Sequence, residues 1–245
     1  MNREQQMTRA FVGLADTYAP EFDPLHLFNT LVLACREILA VDAAAVMIAD
    51  ARGGLRTMAA TEEGAAFIEL LQMQTGRGPC MDCYRTGETI SIPDITAEQE
   101  RWPYLVTGMA EAGFRALQTI PVSLHDRHLG ALTLLNTSTG ALRRNDVRLA
   151  RALADTAALS LMHWSTEPTR SDDVITRVQS AIAAKTALEI AKGMIAEYAG
   201  VDVAEAGRRL TDYASRRRVS LAATAQALAR RALDPTDILG EYSAS

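Results

Sequence analysis

Cys80-Met81-Asp82-Cys83 is the sharpest enzymatic signal in the chain. Two cysteines at this spacing can form a redox dithiol or supply half of a zinc site. His125 and His128 could nominally supply the other half, but 41 residues lie between Cys83 and His125. That is far outside compact zinc-module spacings, and no thioredoxin-like strand–Cys-x-x-Cys–helix setting surrounds the pair. The expectation is two incidental thiols at a helix start, with no metal site. His26 and His163 have no partners at ligand spacing. Gly-x-Ser-x-Gly, P-loop, Gly-x-Gly-x-x-Gly and His-Glu-x-x-His motifs are all missing. Paired carboxylates such as Glu62-Glu63 fall in solvated stretches. The residues give no catalytic constellation, and the chain is expected not to be an enzyme.

The basic residues are better organised. Lys185 and Lys192, the only lysines, are two helical turns apart and so stack beside one apolar seam. Arg209 and Arg216 repeat that geometry further on, with Arg208 beside them, and Arg216-Arg217-Arg218 runs into the turn before Ser220. Stacked cations on neighbouring helices suit phosphates, which arginine binds bidentately. Residues 1–169 carry 14 arginines against 20 acidic residues, net −6, whereas 170–233 carry 11 basic against 7 acidic, net +4. Asp234, Asp237 and Glu241 then make an acidic tail. A basic segment between acidic ones points to a module with its own polyanionic partner.

The elements that must position these residues fall into two groups around a polar, Pro168-containing stretch near 163–173. Before it, Leu27, Leu31, Ala34, Cys35 and Ile38 predict a helix over 24–39, followed by a hairpin of strands 44–50 and 55–60. A helix over 62–74, a strand at 89–92, strands at 114–123 and 128–137 and a closing helix at 143–163 complete an α+β domain with an antiparallel sheet and flanking helices. After it, everything reads as helix. Ser171, with Asp172 and Asp173, can cap the first, where Val174, Ala181, Leu188 and Ile195 recur every seven residues as a coiled-coil-like seam that wants a second protomer. Asp202 and Glu205 form a capping-box start for the second, Ser220 caps the third, and Pro235 stops it.

Within the second group, Ala191-Lys192-Gly193-Met194-Ile195, then Asp202-Val203-Ala204-Glu205-Ala206, Leu210, Ala214, Leu221 and Ala225, resembles the ANTAR domain. The first group resembles a GAF domain through Gly76-Arg77-Gly78-Pro79-Cys80, Ile92-Pro93-Asp94, Arg101-Trp102-Pro103, Gly113-Phe114-Arg115, Ile120-Pro121-Val122 and Leu129-Gly130-Ala131-Leu132. The resemblance implies a GAF-like sensor over 20–164, a linker at 165–170, an all-α three-helix ANTAR-like module over 171–234 and an acidic tail at 235–245. It also implies a signal-responsive regulator of transcription antitermination, whose module binds paired stem-loops in nascent RNA. Lys185, Lys192, Arg208, Arg209, Arg216, Arg217 and Arg218 are the candidate RNA-binding residues. Ala191, Gly193, Ala206, Leu210, Ala214 and Ala225 are candidates for close helix packing. The chain departs from the ANTAR pattern at Gly207, where an aromatic residue is common, at Arg218, where Asn is usual, and at Ser220, where a basic residue is usual.

No cofactor is identified, and a small-molecule ligand of the sensor, of unknown kind, is the expected signal. A homodimer in the cytoplasm is expected, with no membrane contact, since no apolar run approaches the roughly 18 residues of a span. Two other readings stay open. One is a thiol-dependent reductase on the GAF fold, using Cys80, although its downstream cysteine motif is missing and Cys35 is a poor substitute. The other is a dimerisation or protein-interaction module that binds no RNA.

Overall fold

The computed structural model describes residues 2–17, 23–163 and 174–240. The expected linker at 165–170, the Ser171 cap with Asp172 and Asp173, and Glu241 lie outside the described residues.

Short, largely apolar runs build the strands β1 (Ala43–Ala49), β2 (Leu55–Ala60), β3 (Ile90–Ile92), β4 (Ala116–Leu124) and β5 (Arg127–Asn136). They pair antiparallel throughout in the order β2-β1-β5-β4-β3. Both faces are covered, which explains why the central strands are buried along nearly their whole length. Val46, Ile48, Ile120, Leu132 and Leu134 lie under α1 (Arg3–Ala15), α2 (Pro24–Ile38) and α6 (Arg144–His163). Ala43, Ala45, Leu117 and Leu135 face the opposite layer of α3 (Glu63–Thr75), α4 (Pro79–Thr86) and α5 (Pro103–Glu111). At the centre, a Cβ on Gly130 would overlap the Met47 carbonyl oxygen, so only glycine lets β5 come this close to β1.

A helix over 3–15 is not among the elements expected from the sequence. Asn2 caps α1 there in a full capping box with Gln5, and Ala10 and Leu14 are buried against α2 and α6. Arg3 pairs with Asp146 on α6.

The rest of the described chain is helical: α7 (Val174–Ala199), α8 (Val203–Arg217), α9 (Leu221–Ala229) and α10 (Pro235–Gly240). Here the structure corrects three expectations. Pro235 does not stop α9, which ends at Ala229; it opens a fourth helix, a position where its missing N–H costs nothing. Ile238 on that helix is fully buried in the module's core, so 235–240 packs rather than trailing as an acidic tail. Finally, the α7 seam is spent within the chain. Ala181 packs into the sheet domain's core, while Leu188 and Ile195 pack with Leu210, Tyr213 and Leu228. At Ala181, Leu188 and Ile195 no apolar seam is left over for a second protomer.

The two cores interlock. Val178 and Ala181 of α7 sit in the core of the sheet domain, and Leu25 of α2 sits in the core of the helical module.

Candidate nucleic-acid interface

Helices α7 and α8 cross where their small residues allow it. Ala191 and Ala206 are fully buried there, in one cluster with Leu210 and with Ala225 of α9, while Ala214 is buried outside that cluster. Gly193 is different: it is exposed, and a Cβ there would meet nothing within 4 Å. The expectation that Gly193 serves helix packing within the chain is therefore corrected, because it points outward.

Gly207, by contrast, does pack. A Cβ on it would lie 3.2 Å from Cε of Lys192 and 3.7 Å from its Cδ. The lysine stem fills the space that a larger side chain at 207 would claim, so this departure from the ANTAR pattern leaves no void. It lays Lys192 across α8.

Of the seven expected cations, Lys185, Lys192, Arg208 and Arg218 line one cleft of about 1110 Å3. The opposite wall is the sheet domain: Leu25, His26 and Asn29 of α2, and Met58–Ala60 of β2. Arg209, Arg216 and Arg217 are not part of this lining. Arg209 is partly buried and ion-paired with Glu205, and Arg217 lies over the Tyr213 ring at 5.2 Å.

Nor are the lysines bare charges. Lys185 and Lys192 both reach the same Glu189 oxygen, at 2.8 and 3.1 Å. Burial alone would raise the Glu189 carboxyl, but the two ammonium groups hold it below its ordinary value. Glu205 does the same for α8, taking Arg209 and Arg208 at 2.7 Å each, and both hold its carboxyl below the usual range. The expected capping box is therefore half formed. Asp202 accepts the Glu205 N–H at 2.7 Å, while the Glu205 side chain serves the arginines instead of returning to Asp202. Each of the two carboxylates thus gathers two cations on its own helix.

Arg218 closes α8 in the left-handed conformation, φ 53° and ψ 44°. Asparagine tolerates that region better than arginine, which gives the usual Asn a physical reason. Here the strained residue is a cation at the cleft, with no side-chain partner among the described residues.

Sequence reasoning missed the residue that joins the walls. Asp23 is fully buried. One of its carboxylate oxygens accepts the N–H groups of Leu25 and His26 at 2.8 and 2.9 Å, capping α2. The other accepts the Ser220 hydroxyl and the Ala222 N–H, both at 2.9 Å, capping α9 of the helical module. The Asp23-Pro24 pair signals the first cap in sequence. Nothing local could signal the second.

Cys80 and Cys83 share a separate buried cluster, whereas Cys35 of α2 lies in the main core of the sheet domain. The Cys80 sulfur lies 2.9 Å from the Thr133 hydroxyl and 3.6 Å from Glu69, and Gln72 donates to it at 3.1 Å. Burial pushes the Glu69 carboxyl up to about 7, against opposing hydrogen bonds from Thr133 and Cys80. Burial, then the Glu69 charge, pushes the Cys80 thiol well above its ordinary value, and burial lifts Cys83 to about 11 and Cys35 to about 12. His128 is engaged with Ser123 at 3.1 Å, and His125 is exposed in the β4–β5 turn. Among the described residues no cluster of three His, Cys, Asp or Glu could hold a metal ion. Gln72 also borders a pocket of about 310 Å3 with Arg77, Arg101, Trp102 and Tyr104.

Comparisons with known proteins agree with this architecture. Residues 23–161 match the family model of the GAF domain, and residues 176–228 match that of the ANTAR domain. A solved structure described as a GAF domain superposes with TM-score 0.51 at 15% identity, covering 65% of this chain and 89% of its own. The GAF domain of a phosphoenolpyruvate-protein phosphotransferase from Coxiella burnetii gives 0.50 at 17% identity, covering 66% and 96%. Reduced fRMsr of Staphylococcus aureus gives 0.50 at 13% identity, covering 65% and 94%. These likenesses concern the fold of the sheet domain. No curated protein matches the chain. Among the described residues no helix is long and apolar enough to cross a membrane. With a GAF domain over more than half of its length and an ANTAR domain after it, the chain belongs to the GAF domain family and has the architecture of a GAF–ANTAR regulator.

Proposed function

We propose that this protein is a cytoplasmic, signal-responsive transcription antitermination regulator whose helical module binds paired stem-loops in nascent RNA and so disfavours a terminator. The observation that carries this reading is the set of Lys185, Lys192, Arg208 and Arg218 on facing sides of α7 and α8, in a module that matches an ANTAR domain. Side-chain ammonium and guanidinium groups held at fixed spacing are what phosphate recognition needs. Arg216 and Arg217, exposed at the end of α8, extend the basic surface.

The signal enters through the GAF domain. Its pocket beside Arg77, Arg101 and Trp102 is of the size that takes a small ligand. Two stem-loops call for two modules, and the outward face of α7 offers a contact for a second protomer. Ala183, Thr186, Ile190 and Gly193 are exposed there at alternating spacings of four and three.

The reading is non-enzymatic. A reductase needs an accessible thiolate, whereas the Cys80 thiol is fully buried and resists ionisation. The test is fluorescence anisotropy of the full chain with RNA carrying two adjacent stem-loops, against single-stem RNA and duplex DNA. The reading expects preference for the paired stems, and equal affinity for duplex DNA would reject it.

A further inference from the structure

Of the cations that would meet RNA, Lys185 and Lys192 are partly covered, their side chains 27% and 23% exposed, whereas Arg208 and Arg218 are exposed. All four line a cleft of about 1110 Å3 whose other wall includes His26 and Asn29 of the GAF domain. An RNA stem presents phosphates along both flanks of a groove and needs an open face to lie on. The RNA-binding face therefore includes the surface around Lys185 and Lys192 that the GAF domain partly covers.

Asp23 holds that cover in place. Its carboxylate is fully buried, and it takes two donors from the start of α2 and two from the start of α9. Both helix starts carry the positive end of a dipole, so one negative charge serves two elements that belong to different domains. The division of labour is by oxygen. If the module leaves, the oxygen on Leu25 and His26 keeps its bonds and α2 keeps its cap, while the other oxygen and the Ala222 N–H pass to water. The α9 side can thus part from Asp23 without stripping the α2 cap, while Val178 and Ala181 keep α7 seated in the GAF core. Leu25, buried in the module's core beside this carboxylate, completes the clasp.

We propose that the GAF domain and RNA compete for one face of the helical module, and that the Asp23–Ser220–Ala222 contact is the latch that keeps the face covered. This rests on the RNA-binding reading given above. A ligand of the GAF domain that moves the start of α2 would release the module, because the latch residue is also the α2 cap.

The test uses the full chain. Asp23→Asn retains an acceptor for α2 but loses the charge and turns an amide N–H toward the donors of α9. Ser220→Ala removes the bond to Asp23 and the cap bond from the Ala223 N–H, and leaves the α2 cap intact should Asp23→Asn fold poorly. Each is compared with wild type for affinity toward the paired-stem RNA and for hydrogen exchange at the Ala222 amide, with and without RNA. The latch variants are expected to exchange Ala222 faster and to bind RNA roughly ten-fold more tightly, the scale of one charge-assisted hydrogen bond. Saturating RNA is expected to speed Ala222 exchange in wild type. If wild type binds RNA as tightly as the variants and Ala222 stays protected in the complex, the competition is wrong while the RNA reading stands. If neither wild type nor variants bind RNA although Ala222 exchanges freely in the variants, the RNA reading itself fails and the competition falls with it.

Discussion

Asp23 and Ser220, 197 positions apart, meet through a 2.9 Å hydrogen bond from the serine hydroxyl to the aspartate carboxylate. Ser220 is itself the cap of α9, accepting the Ala223 N–H at 3.2 Å, so the two residues make the start of that helix jointly. A sensor-side residue therefore completes a helix of the RNA-binding module.

Removing the carboxylate strips caps from two helices at once. Asp23→Ala is expected to cost about 2–3 kcal/mol of stability, since each lost cap is worth about 1 kcal/mol and the freed N–H groups begin buried. Denaturant titration checks it. A loss no larger than that of a single exposed cap would show that Asp23 does not serve both helices.

Gly207→Ala replaces a glycine inside α8, which should gain up to about 1 kcal/mol of helix propensity. The new methyl would press on the Lys192 stem at 3.2 Å, but a flexible lysine end can give way. The variant is expected to melt higher than wild type and to bind RNA more weakly, because Lys192 must leave its groove. Paired thermal melts and RNA titrations separate the two effects; higher stability with unchanged affinity would remove Lys192 from the interface.

Arg218→Asn relieves the left-handed strain at the end of α8 and is expected to stabilise the chain by about 1 kcal/mol. The same change deletes a cleft cation, so RNA affinity should fall as stability rises. A variant that gains in both would make Arg218 merely a poor cap.

Glu69 gives a pH signature. Its carboxyl ionises near 4.5 when exposed but at about 7 in the fold, because burial disfavours the charge. Between those values the folded protein holds a proton that the unfolded chain has lost. Stability from this residue is therefore full below about 4.5, falls as pH rises through the window and levels off above 7, a total of about 3 kcal/mol. Glu69→Gln should match wild type near pH 5 and exceed it at pH 8. Parallel pH profiles for the two proteins would contradict this.

The GAF and ANTAR patterns were readable because they are local. Two largely apolar runs mark β4 and β5, a seven-residue repeat marks α7, and Asp202 and Ser220 announce the helices that they cap. The repeat showed that Leu188 and Ile195 must be covered, but periodicity cannot say by what, and the structure supplies α8 and α9 of the same chain. Helix α1 was missed because only Ala10 and Leu14 along it are buried, although Asn2 and Gln5 carried its capping signal. Charge spacing found the seven cations. It could not show that Lys185, Lys192 and Arg208 are held by Glu189 and Glu205, or that four of the seven face a GAF-domain wall. Those relationships join residues up to 197 positions apart, and only the packed chain brings them together.

The most direct test of the account is the salt dependence of paired-stem RNA binding by the full chain carrying Asp23→Asn, alone and combined with Lys192→Ala or Arg208→Ala. Phosphate contacts release counterions, so log affinity should fall linearly with log salt concentration. Each added substitution should flatten that slope by about one unit while weakening the affinity at low salt. A slope that neither substitution changes, or an affinity that does not respond to salt, would contradict an RNA interface on the α7–α8 face.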